Sequence, residues 1–81
     1  MNSSLDELRS TFVESLNLET GIDVDACEYA ITVGWDSIAH MVLVAELEDR
    51  FDVMLDTDDV IDMSSFHKSV EILEKHGVTF T

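Results

Sequence analysis

The sequence predicts an all-α bundle of four helices, three longer and one short, with a long loop between the first and second. Apolar residues recur at helical spacing in three separate segments. Pro is absent and Gly numbers only 3, and 46% of the residues are hydrophobic. Together these favour helices over a turn-rich β architecture. At 81 residues the chain has room for one domain, residues 1–81, whose single core must use most of its apolar side chains.

The first helix is signalled by Ser4 with Glu7 three residues later, a capping box, followed by Leu5, Leu8, Phe12, Val13 and Leu16 on one face. The pattern fades at Asn17. Residues 18–33 contain Gly21, Asp23, Asp25 and Glu28 and read as a loop, of a length usually functional or partly structured. Ile22, Val24, Tyr29, Ile31 and Val33 are expected to pin it onto the bundle.

At Gly34-Trp35-Asp36-Ser37-Ile38 the loop gives way to a helix running to Phe51. Asp36 suits the N-cap, because its carboxylate can accept from open first-turn amides and its charge matches the positive helix end. Ser37 then takes the first helical position with its hydroxyl pointing out of the turn. A phosphoester there would lie beside free N–H groups, although on these residues alone a plain capped helix start is the favoured reading. The helix has two apolar stripes. Leu43, Val44, Leu47 and Phe51 form one, and Ile38, Met41, Val42 and Ala45 form another facing largely away. Either the helix is buried on both sides, or the second stripe is an exposed ridge edged by Glu46, Glu48 and Asp49, as in a protein contact surface.

Thr57 followed by Asp58 and Asp59 reads as the cap and first turn of a short helix ending at Ile61 or Asp62. Ser64 or Ser65 opens the last helix, with Phe66, Val70, Ile72 and Leu73 apolar. Glu71 and Lys75 are spaced as an i,i+4 pair, and Gly77 supplies the stop.

Eighteen Asp and Glu against four Lys and Arg give a formal net charge of −14. That field repels nucleic acid and anionic membranes and steers the chain toward partners with basic patches. The hydrophobic fraction and the periodicity argue for a folded acidic protein rather than a disordered one. Cys27 is the sole cysteine, so no internal disulfide is possible and no oxidising compartment is indicated. Residues 1–7 lack a basic region followed by an apolar one, and no apolar run reaches membrane-spanning length. A cytoplasmic monomer that does not insert into membranes is the expectation.

Spacing excludes several chemistries. An EF-hand started at Asp52 or Asp56 places Met54, Thr57, Val60 or Ile61 where oxygen ligands or the glycine belong. His40, His67 and His76 lack helical metal spacing, so no specific metal site is expected, only diffuse cation binding from charge density. Ser37 and Cys27 are candidate nucleophiles, and His40 shares a side of the helix with Ser37. Nothing nearby orients the imidazole or forms an oxyanion turn, so intrinsic catalysis is not expected.

These residues resemble the acyl carrier protein family, whose members carry Asp-Ser-Leu or Asp-Ser-Ile at the start of the second helix. The match runs without a gap from Gly34-Trp35-Asp36-Ser37-Ile38 through Leu43, Leu47, Glu48, Asp49 and Phe51-Asp52. It continues through the acidic short helix to Ser64-Ser65-Phe66. From residue 1 to 33 it rests on helix position, Tyr29 and Val33. The resemblance implies an acyl carrier protein-like bundle with 4′-phosphopantetheine, donated from coenzyme A by a phosphopantetheinyl transferase, attached to Ser37. Acyl groups would ride on it as thioesters to acyl-transfer or synthase enzymes with basic patches, in fatty acid or related acyl-chain synthesis. The chain would then be a substrate of enzymes and not itself one. Asp36 would cap the helix and help the transferase recognise it. Ile38, Met41, Val42 and Ala45 match the partner-facing ridge, with Glu48, Asp49, Asp56, Asp58 and Asp59 as ion-pairing positions.

Trp35 is bulkier than the residue usual before Asp-Ser and lies beside the implied arm, where it is expected to influence partner choice. Val42 and Ala45 reshape the ridge, and Asp56 stands where the family often has proline. Other readings are an aminoacyl or polyketide carrier, a non-enzymatic acidic interaction module retaining the fold, or a small hydrolase using Ser37 and His40.

Overall fold

The computed structural model describes residues 4–19 and 21–80. Its helices are α1 (Ser4–Leu16), α2 (Ser37–Phe51), α3 (Thr57–Asp62) and α4 (Phe66–Lys75), with a 3₁₀ turn at Val24–Ala26 inside the α1–α2 loop. The all-α architecture is the expected one, three longer helices and one short.

In α1, Leu8, Phe12 and Leu16 recur every four residues and are fully buried. Val13, expected on the same face, lies off it and is exposed. Thr11 is also buried, its hydroxyl satisfied by donating to the Glu7 carbonyl at 2.7 Å. Ser4, expected to cap α1, is itself helical and is the first described residue, so the expected capping box falls at the edge of the described residues. Asn17 ends the helix in the left-handed region, φ 52°, and Leu18 N–H returns to the Val13 carbonyl at 3.1 Å.

The two stripes of α2 separate cleanly. Leu43, Val44 and Leu47 are buried, whereas Ile38 is 79% and Met41 59% exposed, with Val42 and Ala45 also exposed. Core contacts therefore use one face only. Phe12 sits at the centre of that core, its ring meeting Trp35 edge-on at 5.3 Å and Phe66 at 5.1 Å. One α1 side chain thus joins the loop and α4.

The loop is anchored by residues other than those expected. Ile22, Tyr29, Ile31 and Val33 are exposed and only Val24 is half-buried, while Leu18, Cys27 and Trp35 are buried. Trp35 offers more apolar area than any of the expected anchors and takes the interior, leaving the turn over residues 28–34 on the surface. Backbone bonds hold this arrangement: Tyr29 N–H to Ser64 at 2.9 Å and Phe66 N–H to Cys27 at 3.1 Å. Arg9 adds a two-pronged contact to Asp25, at 2.8 and 3.0 Å, which holds that carboxyl below its usual range.

Asp56, not Thr57, caps α3. Its backbone is extended, its carboxylate accepts from Asp59 N–H at 2.8 Å, and the Asp59 carboxylate accepts in return from Asp56 N–H at 3.4 Å. Ser65 is the serine that caps α4, accepting from Lys68 N–H at 3.1 Å. At the far end, Gly77 N–H bonds to Glu74 and Val78 N–H to Leu73, each at 3.0 Å. The expected Glu71–Lys75 pair is not made. Glu71 lies 3.8 Å from Lys68, and Lys75 bonds Asp59 instead, because the buried carboxylate is the stronger partner for an ammonium.

Candidate functional site

The head of α2 is set by what precedes it. Gly34 has φ +99°, and a Cβ there would stand 2.8 Å from the Leu16 carbonyl oxygen. Only glycine lets the chain pass this close to the end of α1. Asp36 is then extended (φ −110°, ψ −174°) and its carboxylate accepts from Ala39 N–H at 2.9 Å. The cap predicted at Asp36 is therefore formed. Ser37 follows at the first helical position, exposed, with no side-chain hydrogen bond among the described residues. The amides of Ser37 and Ile38 lack partners within the helix, as at any helix start.

Behind this surface lies a buried polar arrangement. The Trp35 indole N–H donates to His40 Nδ1 at 2.9 Å, and His40 Nε2 lies 2.8 Å from the Val60 carbonyl of α3. Indole can only donate and a carbonyl can only accept, so the imidazole is neutral with its proton on Nε2. Tyr29 closes over both rings, 5.2 Å from His40 and 6.2 Å from Trp35. Both nitrogens of His40 are thus occupied, and neither is available as a base for Ser37. The other nucleophile candidate, Cys27, is buried, and burial pushes its thiol up. Tyr29, His40, Val60, Ile61, Met63 and Ser64 line a cavity of about 280 Å³.

Two of the expected partner-facing residues are interior. Trp35 is 1% exposed, so its ring packs and donates inward rather than lining a contact surface. Asp59 is 1% exposed; Lys75 and His76 grip its carboxylate, the latter at 2.6 Å. Those hydrogen bonds hold its pKa at about 2, well below the usual carboxylate. The remaining acids divide. Glu48 is half-buried and accepts from Leu55 N–H at 2.9 Å, and Asp56 is exposed but spent on the α3 cap. Asp49 and Asp58 are exposed, with no partner among the described residues.

The structure brings Asp36, Ser37, Ile38, Met41, Val42 and Ala45 together at the surface along α2. What sequence reasoning missed is the role of His40 inside the fold. The one available signal was an indole donor five residues before a histidine on the first turn of the helix. Among the described residues, no three His, Cys, Asp or Glu side chains form a group that could hold a metal ion, and no helix is long and apolar enough to cross a membrane.

No family model matches the chain, and no solved structure does. Among curated proteins the chain is similar to an acyl carrier protein of Kocuria rhizophila, 26% identical over 76 residues, covering 89% of this chain and 94% of that protein. A likeness running nearly the length of both chains, joined to the all-helical fold and to the Asp36-Ser37-Ile38 head of α2, supports membership of this chain in the acyl carrier protein family.

Proposed function

We propose that the protein carries acyl groups on a 4′-phosphopantetheine arm joined to Ser37, and delivers them to enzymes of fatty acid or related acyl-chain synthesis in the cytoplasm, as one monomeric domain. The observation that carries this reading is the exposed, uncommitted Ser37 hydroxyl at the first position of α2, behind the Asp36 cap.

The residues fit the group. A phosphodiester on Ser37 Oγ would be favoured there by the open amides of Ser37 and Ile38 and the positive end of the helix dipole. Asp36 uses its carboxylate on Ala39 N–H, so it holds the turn in shape without blocking those amides. When attached, the arm supplies a thiol whose thioesters are activated toward acyl transfer and toward loss of an α-proton. The chain's own part is to keep Ser37 accessible to a phosphopantetheinyl transferase and to present a docking face. That face comprises Ile38, Met41, Val42 and Ala45, with Asp49 and Asp58 at its rim for a partner's basic patch. Glu48 and Asp56 contribute charge at the same edge while holding the α2–α3 connection. Trp35 supports the first turn of α2 from within through His40, and Asp59 ties α3 to the α4 end.

Incubation with coenzyme A and a broad-specificity phosphopantetheinyl transferase is expected to add one phosphopantetheine mass, and Ser37→Ala to abolish the gain. No gain with several transferases overturns the reading. Mass spectrometry of the acyl cargo on protein from its native host separates fatty acyl from aminoacyl or polyketide carriage.

A further inference from the structure

Helix α3 has only six residues, too few to be stable by itself, and its last carbonyls have no partners within the helix. Ser64 N–H, which could have reached back to Val60, bonds to Asp62 at 2.8 Å. The Val60 carbonyl is satisfied instead from another helix, by His40 Nε2–H at 2.8 Å. His40 is in turn held by the Trp35 indole, so a chain of donors runs from the residue before the Asp36 cap, through the first turn of α2, to the last turn of α3. Each link is internal: Trp35 and His40 are buried, and Val60 is half-buried. Breaking either bond leaves a desolvated polar group without a partner. Next to Val60, Ile61 is 72% exposed, and Asp58 lies on the same short helix.

We propose that His40 is a positioning residue. The Trp35–His40–Val60 strap fixes α3 against the first turn of α2, so that Asp58 and Ile61 stand in constant register with Ser37 and Ile38. A partner with an apolar centre and a basic rim can then engage both helices at once. This rests on the reading of Ser37 given above. Asp59 tethers the same helix to Lys75 and His76 of the α4 end, contacts that do not include α2.

The unmodified native chain is tested first, by proton–nitrogen correlation spectroscopy of its imidazoles. His40 is expected as the Nε2–H tautomer, and an Nδ1–H tautomer overturns the proposal. His40→Gln retains an acceptor for Trp35 and a donor for Val60, whereas His40→Leu retains neither. In H40L the α3 amides are expected to exchange about tenfold faster while those of α1, α2 and α4 keep their protection, with H40Q within roughly threefold of native. The transferase KM for H40L is expected to rise about tenfold with kcat within roughly twofold, and H40Q to restore it.

If H40L matches the native chain in α3 exchange and KM, or Gln fares no better than Leu, the strap has no positioning role. His40→Asn, too short to span both partners, replaces Leu if H40L does not fold. If the native chain accepts no modification, the Ser37 reading fails, whereas the tautomer and exchange comparisons still decide whether His40 fixes α3.

Discussion

Gly34 meets two demands at once, a left-handed backbone and a close approach to the Leu16 carbonyl. Gly21 also has positive φ, +90°, but a Cβ there would meet nothing within 4 Å. The pair therefore separates backbone strain from contact. Gly21→Ala is expected to cost about 1 kcal/mol from strain alone, and Gly34→Ala about 1–3 kcal/mol or more. Urea denaturation of both variants checks this, and equal losses would mean that the Leu16 approach can relax. Because Gly34 lies three residues from Ser37, G34A is also expected to disturb the helix start on which the proposed modification depends.

Among the elements, α2 is divided between core and surface. Leu47→Ala removes a fully buried side chain and is expected to cost roughly 2–5 kcal/mol, whereas Met41→Ala, on the exposed stripe, is expected to stay within about 0.5 kcal/mol. Similar losses in thermal unfolding would mean that the ridge is covered. For α3 the sensitive group is Asp59. Its folded pKa of about 2 lies below the value near 3.9 of an unfolded Asp, so the stability it contributes is fully present above about pH 4 and is lost as pH falls toward 2. Asp59→Asn is expected to flatten that limb of the acid-unfolding curve. A variant as acid-sensitive as the native chain in this window would show that other carboxylates govern it.

Across the whole molecule, the charge is not evenly available. Each of the four Lys and Arg residues is engaged internally: Arg9 with Asp6 and Asp25, Arg50 with Glu14 and Glu46, Lys68 with Glu71, and Lys75 with Asp59. A partner drawn to this surface must therefore bring its own cations. Its association rate is expected to fall as salt shortens the screening length to about 10 Å and below. Asp49→Lys is expected to slow association without loss of stability. Glu48→Lys should cost stability as well, because it removes the acceptor of Leu55 N–H. Stopped-flow rates across ionic strength, paired with unfolding curves, distinguish the two, and an Asp49→Lys rate equal to native removes Asp49 from the rim.

What the sequence alone determined was local. Apolar residues every three or four positions specify the buried faces of α1, α2 and α4, and Asp36 beside Ser37 specifies a capped helix start, because a helix face and its cap are set by neighbours within a few residues. The tertiary structure decided which distant groups meet. Trp35 and Cys27 took the interior in place of Ile31 and Val33, since burial goes to whichever side chains best fill the space left by α1 and α4. Asp59 became an internal acid by meeting Lys75, and His40 a strap by reaching Val60, pairings 16 and 20 residues apart. A charge or an imidazole looks the same in the chain whether it will face solvent or a buried partner, and only folding supplies the partner.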